Sequence, residues 1–263
     1  MFRNSDLFWG GVLILLGGLF FLQASGVITN VMGWFWALFL IFLGVWLILG
    51  RLFPAKAPHS EETFRVSLEG AQQGSVRFSH GAGRIEIGAG ASPGYLLEGT
   101  AEGGISYSSH RREDTMEVSV SAGPSFVPFL GPSSGVWRFR LTDEVPLTLT
   151  VEMGASRSTI DIEDLNVTYL HLETGASSTK LILPAHTSNT LVDIDAGAAN
   201  LDVRVPPDVA ARIRIEEGLA ALEIDTSRFP RRERGLYQSE NFDTAPHKVE
   251  MAIDAGAAKV TIR

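Results

Sequence analysis

The chain contains no cysteine. That absence excludes disulfides, thiolate nucleophiles and cysteine-ligated zinc. Histidine is sparse, and none of His59, His80, His110, His171, His186 and His247 stands in H-E-x-x-H spacing or in a close pair that a divalent ion could use. There is no Gly-x-Ser-x-Gly elbow for a nucleophile. The run "GAGASPG" from Gly88 lacks the Lys-Ser/Thr pair and the following helix pattern of a phosphate loop, so it reads as a turn. Positive charge is also short. Residues 1 to 56 hold only Arg3, Arg51, Lys56 and Asp6, which leaves 19 basic against 29 acidic residues in the remainder. A surface that acidic does not neutralise phosphates, so nucleic acid is not an expected partner. The acidic residues alternate along apparent strands, and no spacing pairs two of them as acid and base. The sequence therefore reads as a non-enzyme that needs no cofactor and no metal.

What is present begins with two uncharged apolar runs. "LFWGGVLILLGGLFFL" occupies Leu7 to Leu22, and "VMGWFWALFLIFLGVWLILG" occupies Val31 to Gly50. A helix of the second length reaches about 30 Å, the hydrocarbon thickness of a bilayer. Trp9, Trp34, Trp36 and Trp46 lie in these runs, several near the ends, where interfacial aromatics belong. Residues 1–53 are thus expected to form a transmembrane helical hairpin with spans at about 7–28 and 31–50. The alternative, a cleaved signal peptide, fits less well: a second span follows at once, and no small-x-small site closes the first. Arg3 precedes the hairpin, Arg51 and Lys56 follow it, and the connection "QASGVITN" is uncharged. The positive-inside rule then places both ends, and the soluble part, in the cytoplasm. Gly10, Gly11, Gly17, Gly18, Gly33 and Gly44 could let helices approach closely.

After a linker at 54–63, residues 64–263 show short apolar–polar alternations, the pattern of strands with one buried face. Near-identical phrases recur at Gly81, Gly154, Gly175, Gly197, Gly218 and Gly256, with alanine next in every copy except at Leu219. Five residues before each glycine stand Val76, Leu149, Leu170, Val192, Ile213 and Met251. Three before it stand Phe78, Val151, Leu172, Ile194, Ile215 and Ile253, and six after it Ile87, Ile160, Leu181, Val203, Ile224 and Ile262. All are apolar. From Gly154 onward the glycines are spaced by 21, 22 and 21 residues. A fixed period of this size marks a solenoid, in which each coil buries its apolar face only against its neighbours. Each unit is a strand, a Gly-Ala corner and a second strand, with glycine expected to supply a positive φ at the corner. A β-sandwich with hairpins of regular length is the alternative.

The period breaks twice. Gly81 and Gly154 are 73 residues apart, with strands at "MEVSVSA" and "VWRFRLT" between them but no clean corner. That stretch includes the apolar loop "SFVPFLGPSSGVW", whose Phe126, Phe129 and Trp137 form either a lid over the core or a patch for a partner or membrane. Gly218 and Gly256 are 38 residues apart, one coil plus an insertion that carries Arg228, Arg231, Arg232 and Arg234 in an otherwise acidic domain. These arginines are candidates for docking an acidic partner or anionic headgroups, against the alternative of a solvated loop. The last strand, Lys259 to Arg263, has nothing after it to act as a cap. It is expected either to pack on the 90–145 region or to serve partners by strand addition.

The glycine-rich, tryptophan-bearing hairpin resembles the transmembrane region of the LiaI/LiaF-like bacterial membrane proteins. The repeated Gly-Ala coils resemble the toast-rack domain that often follows it, a right-handed β-helix-like fold. The resemblance implies a multi-pass protein of the bacterial inner membrane and a non-enzymatic role as a sensor or regulator in the cell-envelope stress response. Its implied partners are the lipid bilayer and a membrane histidine kinase or related component, with homo-oligomers also possible. Two alternatives stay open: a self-associating structural scaffold linked to the membrane, and a module binding an envelope lipid or glycan.

Overall fold

A computed structural model describes residues 4–27, 30–52, 62–102, 105–122, 135–218 and 221–263. The chain divides into a helical unit and a β unit. In the helical unit, α1 (Asn4–Ala24) and α2 (Val31–Leu52) contact each other. Gly26, at φ 71°, ends the first helix in the left-handed conformation that glycine adopts without strain. The Asn30 side chain begins the second by accepting the Gly33 N–H at 3.0 Å. Among the described residues no helix is long and apolar enough to cross a membrane. The described side chains of the two helices are chiefly those of 10–27 and 30–41. Within them Leu13, Ile14, Phe21, Trp34, Leu40 and Ile41 are each more than half exposed.

The β unit is built from the recurring phrase. Its central coils are β2 (Gln73–Ala89) and β7 (Leu147–Asp161), each a single strand bent through its corner, and the pair β8 (Val167–Thr174) with β9 (Ser178–Ile182). The next are β10 (Asn189–Ala196) with β11 (Asn200–Arg204), and β12 (Ala210–Glu217) with β13 (Ala221–Ile224). The last is β16 (Lys248–Ala255) with β17 (Lys259–Ile262). Coil stacks on coil in parallel register, so equivalent positions of the repeat become neighbours. Val76, Leu149, Leu170, Val192, Met251 and Ile213 form one continuous row. The rows three before and six after the corner align in the same way, and every member is buried except Ile224, which is half-buried. Full burial of such side chains stabilises by roughly 1.5–3 kcal/mol each. These rows hold the stack together.

Two parallel sheets result, the first from strands before the corner and the second from strands after it. They are joined through β2 and β7 into one large mixed sheet that does not close into a barrel.

The order of coils in space differs from their order in sequence. β16 lies between β10 and β12, and β17 lies between β11 and β13. The expectation of an uncapped terminal strand is therefore wrong: Lys259 to Ile262 pair on both edges, one strand in from the end of the second sheet. The long spacing before Gly256 explains it. Residues 225–247 carry the chain past β12–β13 and back, so that the following coil fills a gap left open. This insertion also covers the end of the stack. Its strands β14 (Arg231–Glu233) and β15 (Leu236–Gln238) form an antiparallel hairpin on the edge of β12. Phe229 is fully buried in the core, with Tyr237 packed against it.

The other break has the same cause. β5 (Thr115–Ala122) and β6 (Val136–Leu141) make a further coil on the outer side of β2. β4 (Ile105–Arg112) adds to β5 antiparallel. β3 (Tyr95–Ala101) adds to β6, and β1 (Glu62–Ser67) to β3, also antiparallel. Antiparallel strands thus end the parallel stack on both sides, and the regular sandwich alternative does not describe it.

Except at Gly81, the corner glycines are needed, but not for positive φ. None of Gly81, Gly154, Gly175, Gly197, Gly218 and Gly256 has it. The reason is contact along the stack. A Cβ on Gly154 would sit 2.4 Å from the carbonyl oxygen of Gly81, and one on Gly175 would sit 3.2 Å from that of Gly154. Gly197, Gly256 and Gly218 repeat the arrangement at 3.2–3.3 Å. Backbone hydrogen bonds run through the corner, from Gly197 N–H to Thr174 O and from Ala198 N–H to Gly175 O. Space, not handedness, selects glycine here.

Candidate interaction surface

Outward positions of the first sheet alternate with the buried rows, so parallel register stacks them into rows as well. Two positions before the corner the row reads Ser79, Glu152, Glu173, Asp195, Asp254, Glu216. Five carboxylates therefore follow one another about 4.8 Å apart, strand to strand. Glu152 is compensated: Ser79 Oγ donates to it at 2.8 Å and Arg77 pairs with it. The hydroxyl, and then the guanidinium, hold its carboxyl below the usual range. Glu173, Asp195, Asp254 and Glu216 are exposed and have no ion pair among the described residues. Like charges directly opposite across a sheet destabilise it. The second sheet avoids this, with Lys259–Glu223 at 2.8 Å, Arg263–Asp202 at 2.7 Å and Arg65–Glu98 at 3.0 Å.

Beside the acidic row lies an open hollow of about 270 Å³. Tyr169 and Leu191, in register on β8 and β10, line one side, and Arg212, Arg214 and Glu250 the other. Ala252 stands between Asp193 and Arg214 in the row, and its short side chain leaves the floor open. Tyr169 is 36% and Leu191 45% exposed, which is unusual for large apolar side chains in this β unit. Arg212 is tied to Glu250 at 3.6 Å and lies 4.2 Å over the Phe242 ring. His171 pairs with Asp193 at 3.4 Å. An apolar pair beside uncompensated carboxylates suits a cationic surface with an apolar anchor. Among the described residues no group of three or more His, Asp or Glu side chains is placed to hold a metal ion.

The sequence-derived candidates fare differently. Trp137 is buried on β6, its ring 4.5 Å from that of His80 and 5.8 Å from that of Phe139, so it is a core residue and not a surface patch. Phe126 and Phe129 lie outside the described residues. Arg228 is structural: its guanidinium donates to the carbonyls of Val205 at 2.9 Å and Pro206 at 2.8 Å and stacks on Phe229. Arg231, Arg232 and Arg234 are exposed on the hairpin at the end of the stack. The acidic row was readable in the same alignment that gave the apolar rows, two places before each glycine. Tyr169 and Leu191 stand in that alignment too, six places before Gly175 and Gly197.

Parallel two-strand coils meeting at a small-residue corner, with antiparallel strands closing both ends, define a stacked-coil β protein. The chain belongs to the family described as the N-terminal domain of toast_rack, DUF2154, whose model matches residues 55–204. The crystal structure of a candidate cell-adhesion protein of Clostridium sporogenes is similar in fold, with a TM-score of 0.71 at 19% identity over 77% of this chain and 98% of that one. A candidate adhesin of Bacteroides fragilis matches over 80% of this chain and 99% of its own at 9% identity, with a TM-score of only 0.30. No curated protein matches the chain.

Proposed function

We propose that this chain is a membrane-anchored, non-enzymatic regulator of the bacterial envelope stress response, acting through a protein partner that docks on the outer face of the first sheet. The observation that carries this reading is the row Glu173, Asp195, Asp254, Glu216, left uncompensated beside the exposed Tyr169–Leu191 pair. A sheet that matches its charges elsewhere keeps four like charges in register here. Such a row costs stability and favours association with a cationic partner. The anchor is α1 and α2, helices of 21 and 22 residues whose central runs are uncharged and whose described apolar side chains are largely exposed. Such exposed apolar surface favours a bilayer over water. The LiaI/LiaF-like resemblance of the hairpin supports the stress-response role, and Arg3, Arg51 and Lys56 favour a cytoplasmic β unit.

The test is charge reversal in the full-length protein. Glu173→Lys with Asp195→Lys and Asp254→Lys should leave the circular dichroism spectrum unchanged and abolish the response of an envelope-stress reporter. A normal response in the reversed protein would remove the acidic face from the mechanism. Light scattering of the same variant in detergent separates the scaffold reading, in which loss of self-association would accompany the loss of response.

A further inference from the structure

We propose that the free edge of β4 takes up an extended segment of a partner protein as an added strand, opposite β1. The inference rests on the reading of the chain as an interaction protein, but on a different surface from the acidic row. β4 pairs with β5 over its whole length, Ile105 with Ala122 through Arg112 with Thr115, without a register shift. Its other edge meets no strand among the described residues. An unpaired edge offers backbone N–H and C=O groups at regular spacing, and the ligand that satisfies them is another strand.

The remaining edges are protected in the ways edges usually are. β14 has three residues and an irregular register, β13 has four, and β1 carries a register shift at Val66/Ser67. β4 has eight residues, no proline, no bulge, and the uncharged run Ser106 to Ser109 at its centre. Among the described residues it is the long, regular edge left unguarded.

The two sheets are also unequal here. Beyond the β5–β6 coil the second sheet continues by two strands, β3 and β1, while the first continues by one, β4. β1 thus faces a place where the first sheet has no strand. An open groove of about 570 Å³ lies there, lined by Thr63, Phe64, Arg65, Ile105 and Tyr107. Phe64 stacks on Tyr107 at 5.3 Å, yet Tyr107 stays 51% exposed. A strand added to β4 would send alternate side chains into this groove, so the segment carries apolar residues at every second position. At the far end of β4, Arg111 donates to the carbonyls of Glu69 and Glu113 and Glu117 contacts His110 at 2.9 Å, which leaves the exposed Arg112, 3.9 Å from Glu117, to favour a carboxylate there. A second copy joined through the same edge would have to seat its own β3 and β1 against the β1 and β3 already there, so a single extended segment fits where a whole domain does not.

The probe is a set of peptides of about nine residues, alternating threonine with valine or phenylalanine and ending in glutamate, titrated into the full-length protein in nanodiscs. Each is compared with two N-methylated forms, blocked on odd or on even amides. Saturable binding is expected, weakened about tenfold or more by one blocked set and unchanged by the other. Slower amide exchange of Ser106 to Arg111 should accompany it, and Tyr107→Asp should weaken binding without changing the melting temperature. Absence of saturation up to about 1 mM, or indifference to both blocked forms, would overturn the proposal. So would β4 protection in the protein alone that rises with its concentration, which would give the edge to a second copy. The acidic row is untouched by these probes, so failure here leaves the charge-reversal result standing.

Discussion

The α-carbon of Gly154 faces the carbonyl oxygen of Gly81 so closely that an added methyl would lie 2.4 Å from it, whereas a methyl on Gly81 would meet nothing within 4 Å. The same residue type in the same phrase thus answers to different neighbours. Gly154→Ala should destabilise the β unit by about 1–3 kcal/mol, the usual cost of overpacking against backbone. Gly81→Ala should be neutral or slightly stabilising, because it narrows the unfolded ensemble without a clash. Chemical denaturation of the two variants decides the matter, and equal effects would contradict the stacked-corner geometry.

Removing residues 248–263 should do far more than fray an end. It takes a strand pair from between β10–β11 and β12–β13 and leaves four strand edges without partners. The truncated β unit is expected to lose cooperative unfolding and become sensitive to protease throughout 167–247. A protein that kept the native melting temperature without this coil would disprove its central position.

The arginine-bearing insertion should divide in two by mutation. Phe229→Ala opens a cavity in a fully buried site and should cost about 3–5 kcal/mol. Arg228→Ala removes two charge-assisted hydrogen bonds to Val205 and Pro206 and should cost about 1.5–3 kcal/mol. Arg232→Ala and Arg234→Ala, on the exposed hairpin, should stay within about 0.5 kcal/mol of the parent. Thermal melts of the four variants check the order.

His80 is buried beside Trp137, with neither ring nitrogen bonded among the described residues, and burial holds its imidazole below the ordinary histidine value. The unfolded chain then binds the proton more readily than the folded one. Stability should rise with pH across this window and be lost as pH falls below about 6.5, by at most about 1.4 kcal/mol per pH unit. His80→Phe removes the group and should flatten that part of the profile. Denaturation of both proteins at about pH 7.5 and about pH 5 gives the comparison, and parallel profiles would exclude the histidine as the cause.

The period of the repeat and the three apolar rows were legible because parallel register copies sequence position into spatial position, as Val76, Leu149 and Leu170 show. The order of the coils was not legible. Ile213 and Met251 present the same residue class at the same place in the phrase, so either could have stacked on Val192. The hairpin β14–β15 and the length of 225–247 decide between them, and neither announces itself in the alternation. Glycine at the corner was legible, but its reason was not, since a clash with Gly81 or Gly154 exists only once the coils are stacked. Trp137 read as part of a lid or of a surface patch because it borders an apolar loop, and its neighbours Phe139 and His80 draw it into the core.

The position of β16–β17 bears on how the protein is made. Synthesis is vectorial, and residues 210–224 emerge 38 residues before residue 262 does. At about 5–20 residues per second the ribosome needs roughly 2–8 seconds for that stretch. Throughout this time β12 is complete, β10 offers it a matching edge, and the strand that belongs between them does not yet exist. The native order therefore requires either that the two strands be held apart or that an early pairing be undone. A repeat that makes every coil compatible with every other leaves the nascent chain a competing partner, and discrimination between them falls to timing and to the hairpin that seals the edge of β12.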